Sequence, residues 1–486
     1  MGIMQEKTTF LLDYAPLNPP DFCREFSVTA FSTLTQLPAS QLANLEEMGY
    51  LAMTPIQAAA LPAILEGRDV RAQAKTGSGK TAAFGLGVLQ RIDASQYSTQ
   101  SLVLCPTREL ADQVTKELRR LARFTQNIKI LTLCGGQPLA AQRDSLLHAP
   151  HVVVGTPGRI MDHLKRETLK LDNLNTLVLD EADRMLEMGF REDIDTIIRY
   201  TTSERQTLLF SATWPQGIAQ ISGRIQRDPL TVETGDVSEL PSIEQHFFEA
   251  GNREKLTMLI GLLSQQQPKS CVVFCNTKRE CDDIAQALDS SQISAMALHG
   301  DLEQRDRDQV LIRFANGSCR VLVATDVAAR GLDIKELSMV VNYQLSFDPE
   351  VHVHRIGRTA RAGQQGKAVS FVAPDEMVRA HALEDYLQMK LNWQQGAPLK
   401  SVDVRPLDAE MATLCIDGGR KAKIRPGDIL GALTGDAGLS GELVGKIDIT
   451  ATHAYVAIRH DAARQAMRQL QQGKIKGKTC RARLLK

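Results

Sequence analysis

The sequence predicts an α/β chain: two tandem parallel-sheet units followed by a small α+β module. Three patterns predict it. From residue 31 to 235, short β-like runs (70–74, 102–105, 128–134, 152–155, 177–180 and 208–211) alternate with helix-compatible stretches, the rhythm of a parallel sheet covered by helices. The rhythm restarts at 271–274 and continues through 295–298, 321–324, 340–343 and 368–372. Residues 407–486 read β-α-β-β-α-β, with candidate strands at 412–416, 444–449, 455–458 and 479–484 and helices at 426–434 and 461–471. That order is a ferredoxin-like plan, which RNA-recognition modules share with many other proteins.

These patterns place a loosely ordered extension at 1–28, a first unit at 29–235, a second unit at 240–395, a linker at 396–406 and the module at 407–486. Pro229 and the polar stretch 233–242 separate the two units. The polar stretch 394–406, with Gly396, Pro398 and Pro406, reads as the second joint. A chain of 486 residues with 43% hydrophobic content accommodates roughly two to four domains with ordinary cores.

The formal net charge is zero, so the whole chain advertises no polyanionic partner. Its distribution is uneven. Of the 57 basic and 57 acidic residues, 15 and 9 fall in 401–486, leaving 42 and 48 for the first 400 residues. Residues 459–486 carry 9 basic side chains and the single acid Asp461, a candidate phosphate-binding surface or a solvated face. The 9 cysteines contain no CxxC pair, which fits buried thiols in a reducing compartment better than zinc or disulfides. No apolar run reaches membrane-spanning length and no signal-peptide pattern opens the chain, so the expectation is a cytoplasmic protein.

The first functional string stands where the first β-like run ends. Ala74-Lys75-Thr76-Gly77-Ser78-Gly79-Lys80-Thr81 precedes a helix-compatible run, 81–90. Such a turn wraps phosphates: Gly77 and Gly79 let backbone N–H groups approach anionic oxygens, Lys80 adds a point charge, and the Thr81 hydroxyl can reach Mg2+. The strict pattern has Gly at the position of Ala74, so the string alone also suits a surface turn. Its partner is Asp180-Glu181-Ala182-Asp183, which closes the apolar run 176–179. Carboxylates at a strand end stand where a metal and an attacking water need them.

More strings occupy strand ends. In the first unit they are Pro106-Thr107-Arg108-Glu109-Leu110-Ala111, Gly135-Gly136, Thr156-Pro157-Gly158-Arg159 and Ser211-Ala212-Thr213. In the second they are Ala324-Thr325-Asp326-Val327-Ala328-Ala329-Arg330-Gly331-Leu332-Asp333 and His354-Arg355-Ile356-Gly357-Arg358-Thr359-Ala360-Arg361. With Gly49-Tyr50 and Thr54-Pro55-Ile56-Gln57 upstream, the set resembles the DEAD-box RNA helicases, in family order, over residues 31–373. Ala at position 74 is normal for that family; Ala360 stands where Gly is usual.

The resemblance implies two RecA-like domains that close on ATP and Mg2+. It implies ATP contacts from Ala74, Lys75, Thr76, Gly77, Ser78, Gly79, Lys80 and Thr81, with Asp333 on the ribose. Gln57 resembles the adenine reader, since an amide donates and accepts together; Phe31 stacks on the base or is a core aromatic. Thr81 and Asp180 hold Mg2+, the latter through water, and Glu181 orients or deprotonates the attacking water. Arg358 and Arg361 look like arginine fingers, two arginines facing one way on a helix turn. Asp183 with Ser211 and Thr213 looks like the link between hydrolysis and RNA grip. RNA-backbone contacts fall on Arg108, Gly135, Gly136, Thr156, Gly158 and Arg159 of the first unit, and on Asn276, Thr277, Gly300, Thr325 and Asp326 of the second. Hydroxyls, backbone N–H groups and a few arginines can grip RNA without reading bases.

In the tail, Thr413-Leu414-Cys415-Ile416-Asp417-Gly418-Gly419, Arg425-Pro426-Gly427-Asp428 and Gly473-Lys474-Ile475-Lys476-Gly477-Lys478 resemble the C-terminal module of bacterial DbpA-type helicases. That resemblance implies a monomer whose partners are a hairpin of large-subunit (23S) ribosomal RNA and pre-ribosomal particles, with a role in large-subunit assembly. The third strand of the module offers Tyr455 without a full aromatic pair, and its first strand has no aromatic. A clamp of Lys421, Lys423, Arg425, Lys474, Lys476, Lys478 and Arg481 on phosphates is therefore favoured over base stacking. Since bacterial genes can start at a valine codon, Val28 is the expected natural start.

Two rival functions share these residues. A DNA translocase is opposed by the Gln57 string and by Thr156-Pro157-Gly158-Arg159. An ATP-gated RNA clamp, in which hydrolysis only resets binding, needs the same side chains and stays open.

Overall fold

The computed structural model describes residues 29–74, 77–124, 127–214, 216–233, 243–329, 337–359, 366–435 and 438–485. The extension 1–28 with Val28, and Lys75, Thr76, Asp333, Ala360 and Arg361, lie outside the described residues.

The first unit is built on β1 (Val70–Gln73), β2 (Ser101–Leu104), β3 (Ile130–Leu133), β4 (Val152–Gly155), β5 (Thr176–Asp180), β6 (Gln206–Ser211) and β7 (Leu230–Glu233). They pair in the order β3-β4-β2-β5-β6-β1-β7, all parallel. β2, β4, β5 and β6 are buried at every residue, because helices cover both faces. The register puts the ends of β1 and β6 side by side: Gln73 is opposite Ser211, and Ala74 N–H donates to Ser211 O at 3.0 Å. The phosphate turn, the Ser211-Ala212-Thr213 string and the end of β5 therefore converge.

The second unit repeats the plan with β8 (Ile243–Glu249), β9 (Cys271–Cys275), β10 (Ala295–Leu298), β11 (Val321–Thr325), β12 (Met339–Asn342), β13 (Gly366–Val372) and β14 (Trp393–Gln394). Their order is β10-β11-β9-β12-β13-β8-β14, again parallel. Both units are RecA-like sheets. The rhythm of this unit begins at β8, earlier than 271.

Residues 396–406, read from sequence as a linker, are fastened to the second unit. The short helix Ala397–Lys400 buries Leu399 in the core of that unit, and Lys400 pairs with Glu254 at 2.5 Å. Leu407, only 1% exposed, joins the same core, and its backbone bonds to Gln292 and Ser294. Leu407→Ala is expected to cost about 2–5 kcal/mol, the range for a buried leucine. Thermal unfolding checks this, and an unchanged Tm would contradict the anchoring.

β15 (Met411–Ile416), β16 (Val444–Ile449), β17 (Ala454–Arg459) and β18 (Ala482–Leu484) form the antiparallel sheet of the module, in the order β16-β17-β15-β18. Leu414, Ile416, Val456 and Ile458 point into its own core, under the helices Pro426–Thr434 and Ala463–Gln472. On the opposite face Thr413, Cys415 and Tyr455 of the two inner strands are also buried, while Arg483 of the outer β18 is exposed. At Thr413 that face meets the second unit: Asn316 Nδ2 donates to the Thr413 hydroxyl at 2.9 Å, and the hydroxyl donates to Ser318 Oγ at 2.8 Å. Arg320 adds a pair to Glu410 at 3.0 Å. Among the described residues, no helix is long and apolar enough to cross a membrane, and the eight described cysteines are free thiols, seven of them buried.

Candidate functional site

The helix Lys80–Gln90 starts directly after the phosphate turn, where Gly77 (φ 87°) and Gly79 (φ 93°) take left-handed conformations that a side chain resists. Gly79 is also tight: a Cβ there would lie 2.5 Å from Gln57 Nε2. Ser78 Oγ, Lys80 Nζ and Asp180 Oδ1 are buried and have no hydrogen-bond partner among the described residues. A hydroxyl, a cation and a carboxylate left unpaired together fit a phosphate chain with its divalent metal. Burial raises the pKa of Asp180 to about 6, while the Lys80 ammonium opposes the shift.

Glu181 follows Asp180 with φ 54° and ψ 55°, a left-handed conformation unusual for glutamate, and is 8% exposed. Strain of this kind persists only where the surroundings impose it. The surroundings here are Asp183 and its partners. The Asp183 carboxylate accepts from Arg184 N–H at 2.8 Å, from Ala212 and Thr213 N–H at 3.0 Å, and from the Thr213 hydroxyl at 3.1 Å, while Asp183 N–H donates to Ser211 Oγ at 3.2 Å. Asp183, Ser211 and Thr213 thus stand in one cluster that joins the ends of β5 and β6.

Two residues expected at a base have partners within the protein. The Gln57 amide bridges its own helix and the phosphate turn, its Oε1 accepting from Thr54 N–H at 2.8 Å and its Nε2 donating to Gly79 O at 3.1 Å. Both ends are engaged, so an adenine edge must displace these partners. Phe31 is 4% exposed and packs edge-on against Tyr50, with ring centroids 6.1 Å apart, as a core aromatic does.

From the second unit, the helix Pro349–Ile356 faces this cluster. Glu350, half-buried, is raised to about 7 by burial, then by Asp348 and by Asp183 and Glu187 of the first unit. Burial, then Arg184, lowers His354. The helix ends at Ile356, so Arg358 lies in the following turn and not on the helix, its N–H donating to Arg355 O at 3.2 Å. Arg361, its expected partner on a helix turn, lies outside the described residues. Arg355, to which the sequence reading assigns no role, is the buried hub. Its Nε and Nη2 pair with the two oxygens of Asp326 at 2.6 and 2.8 Å, Nη1 donates to Asn342 Oδ1 at 3.2 Å and Gln344 O at 2.7 Å, and Nη2 also donates to Asn276 Oδ1 at 3.0 Å. All five guanidinium protons are satisfied. The side chains of Asn276 and Asp326, expected at RNA, are therefore engaged by Arg355.

The other RNA-backbone candidates collect where neighbouring strands end. Arg108, Gly135, Gly136, Thr156, Gly158 and Arg159 follow β2, β3 and β4, which are adjacent; Thr277, Gly300 and Thr325 belong to the ends of β9, β10 and β11, also adjacent. Gly136 takes a left-handed conformation (φ 72°) that favours glycine, and the Arg108 guanidinium lies over the space a Cβ would take. Glu109, beside Arg108, pairs with Arg307 of the second unit at 2.9 Å, which ties the two units next to these ends. Arg307 carries no role in the sequence reading; its only signal is the polar run 303–308 opening the helix Gln304–Ala315.

On the module, Ile475 and Lys478 exchange backbone hydrogen bonds around Lys476 (φ 52°) and Gly477 (φ 77°), a two-residue hairpin of the type that needs positive φ at both central positions. It presents Lys474, Lys476 and Lys478 to solvent, and Lys476 Nζ donates to Lys423 O at 3.1 Å, so the two basic segments adjoin. Tyr455 is 4% exposed and cannot stack a base. Cys415, Asp417 and His453 bring donor atoms within 4.8 Å of one another, but burial raises the pKa of the Cys415 thiol and Arg483 stands 3.8 Å from it, which disfavours a bound cation.

Family models match along most of this span: DEAD/DEAH box helicase at residues 54–221, helicase conserved C-terminal domain at 254–363, and DbpA RNA binding domain at 413–484. The ATP-dependent RNA helicase DbpA of Escherichia coli (strain K12) is 67% identical over 459 residues, 94% of this chain and all of that protein. The CshA helicase of Geobacillus kaustophilus is 44% identical, over 74% of this chain and 78% of its own length. Among solved structures, S. cerevisiae Dbp5 L327V bound to RNA and ADP BeF3 superposes with a TM-score of 0.68 at 30% identity, covering 76% of this chain and 97% of that one. Mss116p bound to ssRNA and AMP-PNP gives 0.70 at 27%, covering 76% and 80%.

Proposed function

The chain belongs to the DbpA-type DEAD-box ATP-dependent RNA helicases, and from that premise we propose that it separates short RNA duplexes beside a hairpin of large-subunit ribosomal RNA during assembly of that subunit, acting as a cytoplasmic monomer. One observation supports this most: the two inner strands of the module bury Thr413, Cys415 and Tyr455 on the outer sheet face, while its basic hairpin and the adjoining Lys423 segment stay exposed. RNA then docks on the loops by phosphate contacts from Lys474, Lys476 and Lys478 rather than on the sheet. The module rests on the second unit through Thr413, so a docked RNA stands at a set place beside the core. A free tether, as the sequence reading of 396–406 suggested, is not needed.

In the ATP site, Thr81 and Asp180 would hold Mg2+, which neutralises charge on the phosphates when bound. Lys80 adds its ammonium to the phosphate turn, and Glu181 holds the attacking water and takes up its proton. Arg358, and Arg361 beyond the described residues, would arrive from the second unit to meet charge growing on the transferred group. Asp183 carries a change at Glu181 to Ser211-Ala212-Thr213. The Arg307–Glu109 pair and the Arg355 hub hold the RNA ends of the two sheets in register with Arg358. Gln57 reads adenine by exchanging its present partners, and Asp333 contacts the ribose.

Ending the chain after residue 408 keeps Leu399 and Leu407 and removes the module. RNA-stimulated ATPase activity is expected to persist but to lose its preference for large-subunit ribosomal RNA over unrelated RNA. An unchanged preference, measured as the ratio of half-saturating RNA concentrations, would refute the role of the module.

A further inference from the structure

The side chain of Arg159 is set by groups outside the strings that mark the site. Its Nη1 donates to Gln137 O at 3.0 Å and to Gln142 Oε1 at 2.8 Å, and its Nε faces Asp162 at 3.4 Å. Nη2 has no hydrogen bond to the described residues, so one edge of the guanidinium is fixed and the other is presented.

Gln142, on the helix Leu139–Leu146, is 4% exposed. Its Nε2 donates to Cys134 O at 2.9 Å, directly before Gly135. A carbonyl only accepts and a guanidinium only donates, so the amide orientation is set from both ends. His163 Nε2 lies 3.0 Å from the same Oε1 and must therefore carry a proton. Burial, then Arg159, lowers the pKa of His163, which keeps the ring neutral. Its Nδ1 is then bare and faces the Thr168 hydroxyl at 2.8 Å, which also reaches His163 O at 3.1 Å. The tautomer with its proton on Nε2 is the one that suits Gln142 Oε1.

We propose that Gln142, oriented by His163, is the positioning residue that aims Arg159 at the RNA backbone. This rests on Arg159 contacting RNA. The same amide holds the carbonyl before Gly135-Gly136, so a single buried group sets the pose of two neighbouring RNA-facing segments. A glutamate could not replace it, since one carboxylate oxygen would oppose Cys134 O.

A double-mutant cycle in the full-length chain tests the proposal through RNA-stimulated ATPase kinetics. Gln142→Met, close in volume, should raise the half-saturating RNA concentration by about 10-fold, the effect of one hydrogen bond to a charged group, with the loss falling on that constant rather than on kcat. On an Arg159→Ala background the effect should shrink to the smaller part carried through the Cys134 carbonyl before Gly135. His163→Gln, which keeps an N–H near Nε2, should stay close to wild type, while His163→Leu should reproduce Gln142→Met; Tm identifies any variant that fails to fold. An undiminished effect of Gln142→Met on the Arg159→Ala background, or no effect on wild type, overturns the relay alone. Normal RNA dependence of Arg159→Ala removes the RNA contact itself, and the relay with it.

Discussion

Glu181→Gln is expected to lower RNA-stimulated ATP turnover by about 10²–10⁴-fold, the usual contribution of a positioned general base, with far smaller changes in ATP and RNA affinity. The substitution keeps the shape of the side chain and removes its capacity to take a proton. Position 181 is held in a left-handed conformation between β5 and the short helix Ala182–Glu187, and Asp183, fastened to Ser211, Ala212 and Thr213, fixes the backbone on its C-terminal side. A glutamine inherits that backbone, so the loss reports chemistry rather than geometry. Steady-state kcat with nucleotide and RNA titrations measures it. A loss below tenfold would move the base elsewhere.

Arg358→Ala is expected to cost about 10³–10⁵ in turnover, the range for an arginine that meets charge on a transferring phosphoryl group, while ATP affinity changes little. Arg358 follows the helix whose Arg355 is bonded to Asp326, Asn342, Gln344 and Asn276. Thr359, one residue on, donates its hydroxyl to Leu337 O at 2.5 Å. The turn that carries Arg358 is thus pinned on both sides, next to His354 and Arg184 of the facing unit. Large loss of ATP affinity with turnover intact would show that Arg358 binds the ground state and not the transition state.

Much of the fold could be read from sequence, for a physical reason. Strands buried on both faces, such as Leu177-Val178-Leu179 and Cys271-Val272-Val273-Phe274, are uninterrupted apolar runs, and polar strings that interrupt them at strand ends stand out. β8 escaped because Glu244, Gln245 and His246 dilute its pattern: its outer neighbour is the two-residue β14, and much of it is only half-buried. The attachment of 396–406 escaped because only Leu399 and Leu407 carry it, two apolar residues in a polar stretch.

In the site, legibility stopped where a role depends on tertiary partners. Arg355 and Arg358 belong to one string, yet one is a buried hub and the other a turn residue facing the opposite unit. Gln57 reads as an adenine contact from its chemistry, but both ends of its amide are engaged within the protein. Gln142 and Arg307 carry no local pattern at all; Arg159 and Glu109 explain them only once the chain is folded.

The most direct measurement is strand separation of a short duplex placed beside the large-subunit ribosomal hairpin, with ATP, comparing wild type with Glu181→Gln. The two-unit site with its fixed module predicts that wild type releases the strand with repeated ATP turnover, while Glu181→Gln holds RNA without repeated release. Tight RNA retention by the wild type with no strand released would contradict it and identify a clamp that hydrolysis merely resets.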